Sequence, residues 1–156
     1  MARYHRILGT AYRTYRRMRG GQTLGVRGLV LDGQDRVALV MHTYIDRWHL
    51  PGGGVKRNET FRQALIRELS EEIGVTDVRV ERILGIYHNT TDLKDDHVVV
   101  YVARTTADPA EARPADSFEI QELRWFSLDA LPDDISPATE RRIGEYMTSQ
   151  TVSTVW

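Results

Sequence analysis

The chain contains no cysteine. That excludes a disulfide framework, thiolate catalysis and thiolate-bound zinc, and it fits a reducing, cytoplasmic location. No apolar run approaches the about eighteen residues a membrane-spanning helix needs. Net charge is −1, so no overall basic excess drives polyanion binding. What is present is ordinary: 156 residues, 41% hydrophobic and 28% charged, suited to one domain with a single core.

The near-neutral total hides an asymmetry. Residues 1–19 carry Arg3, Arg6, Arg13, Arg16, Arg17 and Arg19, and no acid. At about 100° per residue, Tyr4, Ile7, Leu8, Ala11, Tyr12, Tyr15 and Met18 share one side and most of the arginines the other. The spacing predicts an amphipathic helix over 1–19, set apart from a domain over 20–156. Its Tyr-rich face needs cover, from the body of the fold or from a second subunit in a homodimer. Its basic face offers a route to RNA or to an anionic membrane surface.

Residues 24–31 and 37–42 are aliphatic and β-branched, with Asp32-Gly33-Gln34-Asp35 between them, and read as a β-hairpin. Gly52-Gly53-Gly54 fits neither helix nor strand and predicts a loop. Thr60 and Gln63 have capping-box spacing, so a helix is expected over 61–73 with Gly74 just past its end. Strands are expected at 78–88, 97–105 and 118–126, the second of them central. Asp95-Asp96-His97 has the look of a metal cluster, weighed against a loop followed by a strand start, and the second reading is preferred. Ser136-Pro137 predicts a helix start running to about Met147, with an ordered tail beyond.

The helix over 61–73 carries the chemistry. On the wheel Glu72 falls between Phe61 and Leu65 on the apolar side, and Glu68 borders that side, with Glu71 farther round. A carboxylate directed inward costs several kcal/mol unless compensated, and Arg67 alone compensates one. A divalent cation removes the conflict, and hard carboxylate oxygens suit Mg²⁺ or Mn²⁺. The glycine loop just before the helix lets backbone approach a phosphate, with Gly52 and Gly54 as candidate contacts. A phosphate cradle beside a carboxylate-held cation is the layout of metal-assisted pyrophosphate hydrolysis.

Residues 53–75 read GGVKRNETFRQALIRELSEEIGV. Gly53, Glu59, Arg67-Glu68, apolar Leu69, Glu71-Glu72, Gly74 and apolar Val75 occupy every defining position of the Nudix box, and the chain resembles the Nudix hydrolase family on these residues. Trp48 to Gly53 and Trp125-Phe126…Leu131-Pro132 are also similar to family members. The resemblance implies an α/β fold, the Nudix fold, in which a mixed β-sheet is sandwiched between α-helices; the amphipathic helix over 1–19 would be an addition. It implies hydrolysis of a nucleoside diphosphate derivative with Mg²⁺ or Mn²⁺. Carried over by position, Glu68, Glu71, Glu72 and the Gly53 carbonyl would hold metal, Arg67 would orient the glutamates, and Glu59 would hold the loop. The general base would be Glu68 or a late carboxylate, of which Glu119 is the first candidate, with Glu122 and Asp116 behind it.

Three further residues are weighed for substrate contact. Trp48 would stack on a nucleobase or anchor the core. His42 stands, after Met41, where many members carry arginine, as a phosphate contact or a hydrogen-bonded structural residue. Arg27 would supply the missing positive charge if it faces the pocket. Three functions follow: a pyrophosphohydrolase of small nucleotides (a nucleotide sugar, ADP-ribose or a nucleoside triphosphate), an enzyme acting on RNA 5′ ends, or a nucleotide-binding sensor or scaffold without turnover.

Overall fold

A computed structural model describes residues 22–90, 95–115, 118–149 and 152–156. The expected helix over 1–19 and Asp116 lie outside these. Strands β1 (Thr23–Leu31) and β2 (Arg36–His42) form the expected hairpin. Asp32 builds its turn: the carboxylate accepts the N–H groups of Gln34 and Arg36, each at 2.9 Å, and Arg36 Nε at 2.8 Å. An Asx-type turn of this kind supplies locally the acceptors that the tight reversal needs.

The two strands pair only at Leu31↔Val37 and then part. β1 continues in parallel with β5 (Asp96–Thr105), which pairs antiparallel with β4 (Val78–Asn89). β2 instead takes β6 (Ile120–Ser127) on one edge and the short β3 (Trp48–His49) on the other. The sheet is mixed, ordered β3-β2-β1-β5-β4 with β6 beside β2. Loop 51–55 runs along the edge of β1 that β2 abandons. Gly28 N–H donates to the Pro51 carbonyl, Val26 N–H to Gly53 and Val55 N–H to Leu24, all at 2.9 Å. The glycine loop is thus fixed into the sheet by backbone hydrogen bonds.

Strand alternation divides the apolar residues between two faces. Helix α1 (Phe61–Ile73) places Ala64, Leu65, Leu69 and Ile73 over Val26, Val30, Ala38 and Val40. Its ends are those expected: Thr60 and Gln63 form the reciprocal capping box, and Gly74 closes the helix at φ 68°. A Cβ on Gly28 would lie 3.1 Å from Leu65 and 3.3 Å from Leu69, so the missing side chain sets how closely α1 sits on β1.

The opposite face buries Leu29, Leu31, Val37, Leu39, Tyr87 and Val100 against Ile143 of α2 (Pro137–Thr148). Arg142 of α2 is fully buried there. Its guanidinium lies 3.9 Å from the Tyr87 ring centroid and donates to Glu145 at 2.9 Å and to the Val155 carbonyl at 3.1 Å. A buried cation so stacked and bonded is compensated.

Two local differences from expectation have simple causes. β3 spans two residues, too few to show periodicity. The tail does more than stay ordered: Trp156 N–H donates to the His88 carbonyl and His88 N–H to Thr154, covering part of the outer edge of β4. Leu69→Ala, which empties the contact between α1 and the sheet, is expected to cost about 2–5 kcal/mol. Urea unfolding followed by circular dichroism measures it.

Candidate active site

Where β1 and β2 separate, α1 lies over the glycine loop and brings its acids to the gap. Glu72 is 5% exposed. Its Oε2 accepts the Gly52 N–H at 2.7 Å. Burial pushes its pKa up to about 8; Arg27 and the Gly52 N–H oppose that rise, and the charges of Glu68 and Glu119 add to it. Glu68, Glu71, Glu72, Glu119, Ala115 and Ile120 line one cavity of about 160 Å³.

Arg67 ties these acids to the loop. Its Nε and Nη2 donate to the two Glu59 oxygens at 2.8 and 3.0 Å. Nη1 donates to Glu68 at 2.6 Å and to Glu71 at 3.3 Å, and Nη2 also to the Gly54 carbonyl at 3.0 Å. The Glu59 carboxyl is held down to about 2, first by Arg67 and then by the Lys56 N–H. A planar fork with five donors can serve this many acceptors at once, whereas an ammonium cannot.

Backbone geometry demands glycine at 52, and the position of Glu68 favours it at 53. Gly52 has φ 137°, and a Cβ there would fall 2.2 Å from the Val26 carbonyl oxygen. A Cβ on Gly53 would fall 2.6 Å from the Glu68 carboxyl. The Glu68 carboxylate therefore rests directly on loop backbone. The Gly53 carbonyl accepts from Val26 and keeps a second lone pair.

The opposite wall comes from residues 42–44 and 119. His42 is 4% exposed, with Nε2 3.9 Å from Glu72 Oε1. Burial first, then Arg27 and His49, lower its pKa to about 3. The imidazole is uncharged at neutral pH. Tyr44 donates to Glu119 Oε1 at 3.4 Å, and Thr43 N–H donates to the Glu119 carbonyl at 3.0 Å. Burial and the neighbouring Glu119 charge push the Tyr44 phenol up to about 12, so it stays protonated.

The structure thus brings together Glu59, Arg67, Glu68, Glu71, Glu72, Glu119, His42 and Gly52 to Gly54. Arg27 faces this region but spends its Nη1 on the carbonyls of Leu50, at 3.1 Å, and Gly52. It anchors the loop beneath the acids. Trp48 is not brought in: it is 3% exposed and packs edge-on against Phe126 at 5.1 Å on the other face of the sheet. Of its two weighed roles the structure gives the core anchor, since no ring face is open to a base. Glu122 is engaged by Arg124 at 2.5 Å. Tyr44 escaped the sequence reading because it follows β2 in an aperiodic loop. Only the β2–β6 pairing sets it beside Glu119.

The donors suit a divalent cation. Three helix carboxylates, a backbone carbonyl and Glu119 are hard oxygens. Burial alone leaves Glu72 partly protonated, a conflict that a bound cation resolves.

A NUDIX domain model matches residues 21–146. The chain belongs to the Nudix hydrolase family. A Bacillus subtilis protein provisionally named 8-oxo-dGTP diphosphatase is 29% identical over 124 residues, covering 80% of this chain and 79% of that one. An RNA pyrophosphohydrolase of Hydrogenovibrio crunogenus is 56% identical over 91 residues, covering 58% of this chain and 48% of its own. The chain therefore spans about half the length of that second relative. Among solved structures, a Nudix hydrolase from Nitrosomonas europaea superposes with TM-score 0.70 at 22% identity, over 82% of this chain and 71% of that one. The MutT protein from Methanosarcina mazei Go1 gives 0.68 at 23%, over 82% and 94%. These two establish the Nudix fold. Nudix hydrolases in general use divalent cations and small nucleotide substrates.

In metal-free protein the folded-state pKa of Glu72 lies above its unfolded value, so the folded state binds the extra proton. Its contribution turns against folding as pH rises from about 4.5 to about 8. With chelator present, Glu72→Gln is expected to melt above the parent at pH 9 and level with it at pH 4. Calorimetric melting at the two pH values measures this.

Proposed function

We propose that this Nudix domain hydrolyses the pyrophosphate linkage of a nucleoside diphosphate derivative and releases a nucleoside monophosphate. The substrate is a nucleotide sugar, ADP-ribose or a nucleoside triphosphate. The observation that carries the reading is the convergence of Glu68, Glu71, Glu72 and Glu119 on one cavity above the glycine loop.

In this reading Glu68, Glu71, Glu72 and the Gly53 carbonyl hold Mg²⁺ or Mn²⁺. Bound there, the cation supplies neutralisation of pyrophosphate charge and acidification of the attacking water. The chain's residues do the rest. Arg67 keeps Glu68 and Glu71 in a fixed orientation, and Glu59 fixes Arg67. Gly52 and Gly54 keep side chains away from the phosphates. Glu119 is the general base, taking the proton of the water that attacks phosphorus as the bridging P–O bond breaks. Two facts favour it over Glu68. Glu68 already accepts a charge-assisted bond from Arg67 and is one of the groups assigned to the cation. Glu119 stands across the cavity from the α1 carboxylates, just before β6, outside the set assigned to the cation. The clustered acids also argue against a sensor or scaffold without turnover, which has no use for carboxylates held at such cost.

Hydrolysis of ADP-ribose, nucleotide sugars and nucleoside triphosphates, measured with each cation, tests the reading and ranks the substrates. Glu72→Gln is expected to lower kcat by at least about 100-fold; activity within about threefold of the parent would refute the assignment. Hydrolysis confined to 5′-triphosphorylated RNA, with a steep salt dependence, would move the assignment to RNA 5′ ends.

A further inference from the structure

Asp95 and His97 stand in the loop-to-strand stretch that opens β5, and the fold places a second histidine beside them. His88 of β4 is the cross-strand partner of His97 in the antiparallel ladder. The two imidazoles stack with centroids 4.6 Å apart and planes 15° from parallel. His88 Nε2 lies 2.7 Å from Asp95 Oδ1. One donor atom from each of the three residues lies within 4.8 Å of the others. None of the three lines the carboxylate cavity.

We propose that His88, Asp95 and His97 form a second cation site that takes a borderline divalent metal of the Zn²⁺ class. Two features support it. The donor set is two imidazoles and one carboxylate, the composition that selects Zn²⁺, Co²⁺ or Ni²⁺ over Mg²⁺. It contrasts with the oxygen donors of the helix carboxylates. The donors are near enough for side-chain adjustment to complete the geometry. Ligands about 2.0–2.2 Å from tetrahedral zinc lie roughly 3.3–3.6 Å from one another, so the His88–Asp95 contact has to widen by less than about 1 Å. The wider donor separations, all within 4.8 Å, have to close, and the stacked rings have to turn until a nitrogen of each points at one ion.

The donors sit on fixed backbone. The ladder holds His88 and His97 in register, and the N–H and carbonyl of His88 pair with Thr154 and Trp156 on the other edge. The side chains of His88 and Asp95 are 44% and 50% exposed, which leaves room for a water ligand and an entry path. A metal here joins β4 to β5 at the end of their ladder nearest the connection between them and stabilises the folded chain by mass action.

Zinc titration of the full chain in excess Mg²⁺, followed by calorimetry, tests this. Both the parent and Glu72→Gln are expected to bind one Zn²⁺ per chain. His88→Ala and His97→Ala are each expected to weaken that binding at least about tenfold while Mg²⁺-dependent hydrolysis persists. On the unsubstituted protein, Zn²⁺ is expected to shift the imidazole NMR signals of His88 and His97. Zinc binding that survives both histidine variants, is lost with Glu72→Gln, or leaves those signals unmoved would overturn the proposal. So would absence of Zn²⁺ binding to the parent.

Discussion

The carboxylate of Glu72 is buried against the backbone of Gly52, and the arrangement around it follows from that contact. A carboxylate at 5% exposure, with one N–H donor and three further acids sharing its cavity, is poorly compensated by the protein itself. Desolvation and like charge both oppose its ionised form. Such a residue persists where something outside the protein completes it. The oxygen-rich surroundings point to a hard cation, and the family to which the chain belongs uses one.

The sheet makes the contact possible by coming apart. Because β2 leaves β1 after a single pair, an edge of β1 is free to bind loop 51–55. Helix α1 then settles on Gly28 through Leu65 and Leu69, which carries Glu68 onto Gly53 and Glu72 onto Gly52. A side chain at Gly52 would strike the β1 backbone and one at Gly53 would displace the Glu68 carboxylate, so the glycines act here as missing volume as much as flexible backbone. Arg67 balances only part of the charge: its fork is shared among Glu59, Glu68 and Glu71, and negative charge is left over. Glu59 contributes by aiming Arg67.

Much of this was legible in the sequence. The 3.6-residue period over 61–73 gave both the helix and the inward turn of Glu72, and capping chemistry gave its ends. Alternation and turn residues gave β1, β2, β4 and β5. Glu119 was named from its place in sequence, and the chain path brings it to the acids. The wall of His42 and Tyr44 was less readable. Whether a histidine ending a strand is charged depends on burial and on Arg27 nearby, and pairing across the sheet decides both. Trp48 shows the same limit, since an aromatic beside a glycine loop suits a stacking surface and a core anchor equally until the sheet face is known. The pairing of His88 with His97 needed the β4–β5 register, which carries two bulges that no sequence pattern marks.

The account rests on a buried acid completed by a cation, and cation binding at near-neutral pH therefore has to displace a proton. Titration calorimetry with Mn²⁺ near pH 7, repeated in two buffers of different ionisation enthalpy, measures this directly. The account predicts binding accompanied by proton release, with the release reduced in Glu72→Gln. Binding without proton release, or no binding even with a non-hydrolysable nucleotide analogue present, would contradict it.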